Sequence, residues 1–167
     1  MKYIKEYSIV LLCSIFLLFL DAQFGQFLSN LFNRDFIFIS HFLLYYLLIL
    51  FRKDNKLTID ISVFIVVYCI ADLYYFNFIG IYLLSLLSLL TFLHLIKKVL
   101  LQNFYYFGLT FFLGCFFFDF IGYLLASVFG LSNLSLFTFV TYSLAPSLLL
   151  NAILLLCLHV LPKSFKK

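Results

Sequence analysis

Six apolar runs, at residues 7–28, 36–51, 59–75, 78–96, 104–129 and 134–161, are separated by polar stretches too short to hold a soluble domain. This layout leaves few folds open. A membrane helix needs about 20 apolar residues, and within a bilayer every peptide group must find its partner inside the protein, so only helices and closed barrels cross. Glycine is scarce, and the runs lack the alternating pattern of barrel strands, about 10 residues each. Hydrophobic residues make up 66% of the chain, against roughly 45–50% in soluble domains. The expected fold is all-α: one integral membrane domain over residues 1–167, a polytopic bundle of about six transmembrane helices.

Charge orients the bundle. Lys2 and Lys5 precede the first run, Arg52, Lys53 and Lys56 follow the second, Lys97 and Lys98 follow the fourth, and Lys163, Lys166 and Lys167 end the chain. If six spans alternate, all but Arg34 of the 11 basic residues lie on one side. Basic loops stay cytoplasmic, so both termini are expected inside the cell. Fusing the third and fourth runs would split the basic clusters between the two sides. The start, "MKYIKEYSIVLLCSIFLLFLDAQ", has the basic head and apolar stretch of a signal peptide. It lacks a small-x-small cleavage site and further spans follow, so it is read as a retained first helix.

Cys13, Cys69, Cys115 and Cys157 fall in separate runs without a CxxC pair, and His41, His94 and His159 are equally isolated. Buried apolar thiols are the better reading, and no metal or cofactor is expected. There is no phosphate-cradling glycine loop, no nucleophile elbow and no paired acid and base. Enzymatic function and a nucleic-acid partner are therefore not expected.

Polar residues at membrane depth are costly and face protein or water. Asp21, Asp72 and Asp119 recur at nearly equal spacing, each toward the outer end of its run. For Asp21, solvation at a helix end explains the residue as well as any function. At about 100° per residue, Gly108, Cys115, Asp119, Gly122 and Ala126 form a narrow stripe on the fifth helix. Such small-residue stripes let membrane helices approach closely, so Asp119 is expected at a buried seam. In the last run, "LAPSLLLNAILL", Pro146 supplies no donor and crowds the carbonyl of Tyr142. The helix should kink there and leave a carbonyl needing a partner. Ser143, Ser147 and Asn151, four residues apart, share the face that can respond.

Two of these patterns carry a resemblance. "YCIADLYYFNFIGIYLL", with Asp72 and Gly80, and the Pro146 to Asn151 element ahead of a basic tail stand in a six-run chain whose early part reads "LFLDAQFGQFLSNLF". The whole resembles the MreD family of bacterial rod shape-determining membrane proteins. The resemblance implies a non-enzymatic component of the cell-elongation machinery in the cytoplasmic membrane, needed for rod or ovoid shape and lateral peptidoglycan synthesis. Its implied partners are MreC, the filament protein MreB, and the glycosyltransferase RodA with its partner transpeptidase. Asp72, Gly80, Asp119, Gly122, Ser143, Pro146, Ser147 and Asn151 are the candidate partner-binding or helix-packing residues. The alternative is a small-molecule-binding subunit of an energy-coupling-factor-type transporter, with Asp72, Asp119, Ser143 and Asn151 lining a cavity.

Overall fold

The computed structural model describes residues 2–53, 57–100 and 104–164, with side chains placed over 7–52, 61–95 and 105–158. Most of the basic clusters that orient the sequence lie outside the placed side chains. Among the described residues there is no β-strand. The helices are α1 (Lys2–Leu31), α2 (Phe42–Lys53), α3 (Leu57–Phe76), α4 (Ile81–Leu100) and α5 (Phe104–Val128). The last rod is composite: α6 (Leu136–Phe139), a π-helical segment (Val140–Leu144) and α7 (Ala145–Ser164). Among the described residues, three rods are long and apolar enough to cross a bilayer, Tyr7–Leu31, Tyr105–Val128 and Leu136–Leu158.

The short α2 is the centre of the bundle and packs against α1, α3 and α5; α4 lies against both α3 and α5, and α7 against α5. Leu44 and Leu48 of α2, Phe64 and Val67 of α3, and Leu86 and Leu93 of α4 have no exposed surface. The outside is apolar too: Leu12, Phe16, Tyr74, Phe137 and Leu149 are all strongly exposed. In water such a surface would drive association; facing acyl chains it is the ordinary exterior of a membrane bundle.

The run at 36–51, expected as one helix, is not one. Helix α2 begins only at Phe42, and Ile37–His41 is non-helical. Length supplies the physical reason. Sixteen residues of helix reach only about 24 Å at about 1.5 Å each, short of the roughly 30 Å hydrocarbon core. Twelve helical residues, about 18 Å, plus five extended ones at about 3.3 Å each, give a segment long enough. Likewise the fourth helix starts at Ile81 rather than 78, because residues 77–80 form the turn that closes the α3–α4 hairpin.

In the composite rod the cause is Pro146. Without its N–H the regular ladder cannot continue, and the Ala145 N–H bonds instead to the Val140 carbonyl, five residues back. The wider π turn is how the helix absorbs the proline.

Because lipid is as apolar as the core, a truncation inside this bundle costs mainly lost packing. Phe64→Ala should leave a void of about 100 Å³ and lower stability by about 2 kcal/mol at about 24 cal/mol per Å³. Tyr74→Ala, on the exposed surface, should change it by less than about 0.5 kcal/mol. Thermal unfolding in detergent should separate the two variants in that order.

Candidate functional site

Peptide groups outside helices are tolerated at membrane depth only where protein satisfies them. The segment Ile37–His41 meets this condition by alternating its bonds, as extended chain does. Toward the last rod, the Ile37 N–H donates to the Tyr142 carbonyl at 2.8 Å, the acceptor that Pro146 leaves without a helical donor. The Ile39 N–H donates to Ser147 Oγ at 2.9 Å, and the His41 N–H to Asn151 Oδ1 at 2.9 Å. Asn151 Nδ2 returns a bond to the Ile39 carbonyl at 2.8 Å and another to the Ser147 carbonyl at 2.8 Å. On the opposite edge, the Phe38 N–H donates to Ser29 Oγ of α1 at 3.0 Å. Gly25 makes that approach possible, since a Cβ there would stand 2.6 Å from the Phe38 carbonyl oxygen.

Two aspartates do the same work on successive hairpins. Asp21, ten residues before the end of α1, accepts the Phe42 N–H at 2.8 Å and the Leu43 N–H at 3.0 Å, capping the start of α2. The Ser40 hydroxyl adds a third bond at 2.9 Å. Asp72, near the end of α3, accepts the N–H groups of Gly80 at 2.8 Å, Tyr82 at 2.7 Å and Leu83 at 3.1 Å, capping α4. Each places a carboxylate at the positive end of the next helix, where orphan donors need acceptors. Gly80 sits at φ 146, a conformation open to glycine and avoided by other residues.

Asp119 does something else. Its Oδ1 lies 2.9 Å from His41 Nε2, joining α5 to the non-helical segment. The pair is buried and walled by Phe118, whose ring meets those of His41, Tyr68 and Tyr82 at 5.6, 5.4 and 5.8 Å. Asp119 Oδ2 is buried without a partner. His41 also lines a cleft of about 730 Å³. The cleft runs between α1 and residues 34–41, with Tyr75, Tyr82 and Phe118 as its far wall. Among the described residues no three metal-binding side chains gather, and Cys13, Cys69, Cys115 and Cys157 are free thiols.

The structure thus divides the residues singled out by sequence. Ser147 and Asn151, with the carbonyl freed by Pro146, converge on one segment; Asp119 reaches its far end through His41. Asp72 and Gly80 form a separate hairpin cap. Ser143 is buried within the π-helical segment, and Gly122 faces Ser85 of α4, whose Oγ a Cβ would meet at 3.6 Å. Asp72, Ser147 and Asn151 are at most 1% exposed and bond within the chain. Sequence reasoning missed Gly25, Ser29 and His41. A signal for the first two was present: Asp21, Gly25 and Ser29 repeat every four residues, as Ser143, Ser147 and Asn151 do.

Asn151→Leu strands the His41 N–H and the Ile39 carbonyl, each worth about 1–3 kcal/mol when left unpaired. It should lower the detergent melting temperature more than Phe64→Ala does. Gly25→Ala should also destabilise, because its methyl collides with backbone, whereas Gly122→Ala should leave the melting temperature near wild type.

Comparison with known proteins identifies the family. Residues 5–165 match the family model described as rod shape-determining protein MreD. The cell shape-determining protein MreD of Streptococcus pneumoniae (strain ATCC BAA-255 / R6) is 35% identical over 157 residues, with 90% of each chain covered. No solved structure matches the chain. The transporter-subunit alternative gains no support from these comparisons, and the match supports a role in determining cell shape. Spanning nearly its whole length, it places this chain in the MreD family.

Proposed function

We propose that the chain is a non-enzymatic scaffold of the bacterial cell-elongation machinery, docking MreC and the wall synthases, RodA and its partner transpeptidase, with MreB on the cytoplasmic side. It sits in the cytoplasmic membrane as a six-span protein with both termini inside. The observation that carries this reading is the family match over residues 5–165. The curated relative is itself described as cell shape-determining.

The internal chemistry supports a scaffold. Asp21, Asp72, Ser147 and Asn151 hold helix starts and a non-helical segment in place, which leaves them bound rather than poised to react. A partner then reads the surface these bonds keep in shape, and the candidate residues act on docking through the fold. The charge asymmetry supports the orientation, since all but one of the 11 basic residues belong to the clusters assigned to the cytoplasmic side.

Affinity purification of the full chain in mild detergent should recover MreC. Asp72→Ala and Asn151→Leu should reduce that recovery and change cell width while the protein still inserts. Recovery without MreC from wild-type cells, or normal width and full MreC recovery in both variants, would overturn the reading. A reporter fused to the C-terminus should be active in the cytoplasm and silent outside it.

A further inference from the structure

The one basic residue outside the cytoplasmic clusters, Arg34, lies on the rim of the cleft described above. Its backbone is unusual. Helix α1 ends at Leu31, and the chain reverses through Asn33 at φ 52 and Arg34 at φ 64. The Arg34 N–H closes the helix end on the Ser29 carbonyl at 2.8 Å. Glycine is the usual residue in such a left-handed terminating position, and a long side chain there is disfavoured. What the arginine adds is its guanidinium. Arg34 Nε donates to Asn30 Oδ1 at 3.1 Å, which holds one edge of the group and leaves its terminal nitrogens without a partner among the described residues. With its oxygen engaged, Asn30 has its amide NH₂ to offer, and Gln26 lies four residues earlier on the same side; all three line the cleft.

We propose that Gln26, Asn30 and Arg34 bind the phosphate of an anionic membrane lipid whose glycerol region enters the cleft. A guanidinium held by one edge presents the fork that suits a phosphate. The acidic lining residue, Asp21, is directed at donors at the start of α2, which offset part of its charge. Among the described residues no carboxylate is within ion-pair distance of Arg34. Phe36 and Ile37, apolar and exposed, line the cleft as well, so the anion arrives on an apolar body rather than as a free ion. The cleft, about 730 Å³, lies within the roughly 300–1,000 Å³ typical of ligand-holding clefts. His41 also lines the cleft, and its polar ring suits an ester or hydroxyl of the glycerol. The outer-side placement proposed above decides only which leaflet provides the lipid.

The test is titration of the purified full chain in detergent micelles with phosphatidylglycerol, with diacylglycerol and with inorganic phosphate, read by native mass spectrometry. Saturable phosphatidylglycerol binding is expected, weakened about tenfold in Arg34→Gly, the loss of one charge-assisted contact. Because glycine takes the left-handed backbone without strain, the melting temperature of Arg34→Gly should equal or exceed wild type, which separates a lost ligand contact from a damaged fold. Asn30→Leu should weaken binding as well. Unchanged phosphatidylglycerol binding in Arg34→Gly, equal binding of diacylglycerol, or displacement of the lipid by inorganic phosphate at matching concentration would overturn the proposal. None of these readouts involves MreC, so the outcome is independent of the scaffold reading.

Discussion

A peptide group left unpaired in hydrocarbon costs several kcal/mol, and the arrangement of this bundle follows from how five such residues, Ile37–His41, are satisfied. Their donors and acceptors reach the last rod on one edge and α1 on the other. Helix α1 makes its main contacts with α2 and α3, and α7 with α5, so the segment is what ties the first rod to the last. Pro146 belongs to the same arrangement. By withholding an N–H from the Tyr142 carbonyl it creates the acceptor that the Ile37 N–H occupies. A helix defect and a non-helical segment thus cancel each other's unsatisfied groups.

The aspartates show how one residue type is put to different uses by its surroundings. Asp21, ten residues before the end of α1, and Asp72, four residues before the end of α3, each hold the first turn of the next helix, where the helix dipole and free N–H groups favour a carboxylate. The third hairpin departs from this scheme, because Ser135 caps α6 through the Thr138 N–H. That leaves Asp119 available to the His41 ring. The resulting dyad holds one carboxylate oxygen without a partner among the described residues. It is the polar element of the interior that the fold does not fully consume.

Local patterns were readable wherever cause and effect lie within one or two helical turns. Pro146 and the carbonyl of Tyr142 are neighbours, and Ser143, Ser147 and Asn151 mark one face by spacing alone. Asp72 and Gly80 bracket a single turn. The His41 to Asp119 contact joins residues 78 apart in sequence, and His41 looked isolated because nothing near it in the chain is polar enough to suggest a partner. Gly25 was equally silent, since its importance lies in the Phe38 carbonyl brought against it by a different stretch of chain.

The apolar runs and their short separators determined by themselves that the chain is helical and suited to a bilayer, because hydrocarbon offers no partner for peptide groups. They also determined that the last helix could not be regular, since proline lacks a donor in any context. Only the tertiary structure decided that the second run begins with a non-helical segment, Ile37–His41. A non-helical backbone in an apolar setting survives only if outside groups meet its bonds, and those groups, Ser29, Ser147, Asn151 and the Tyr142 carbonyl, come from helices that folding alone brings together.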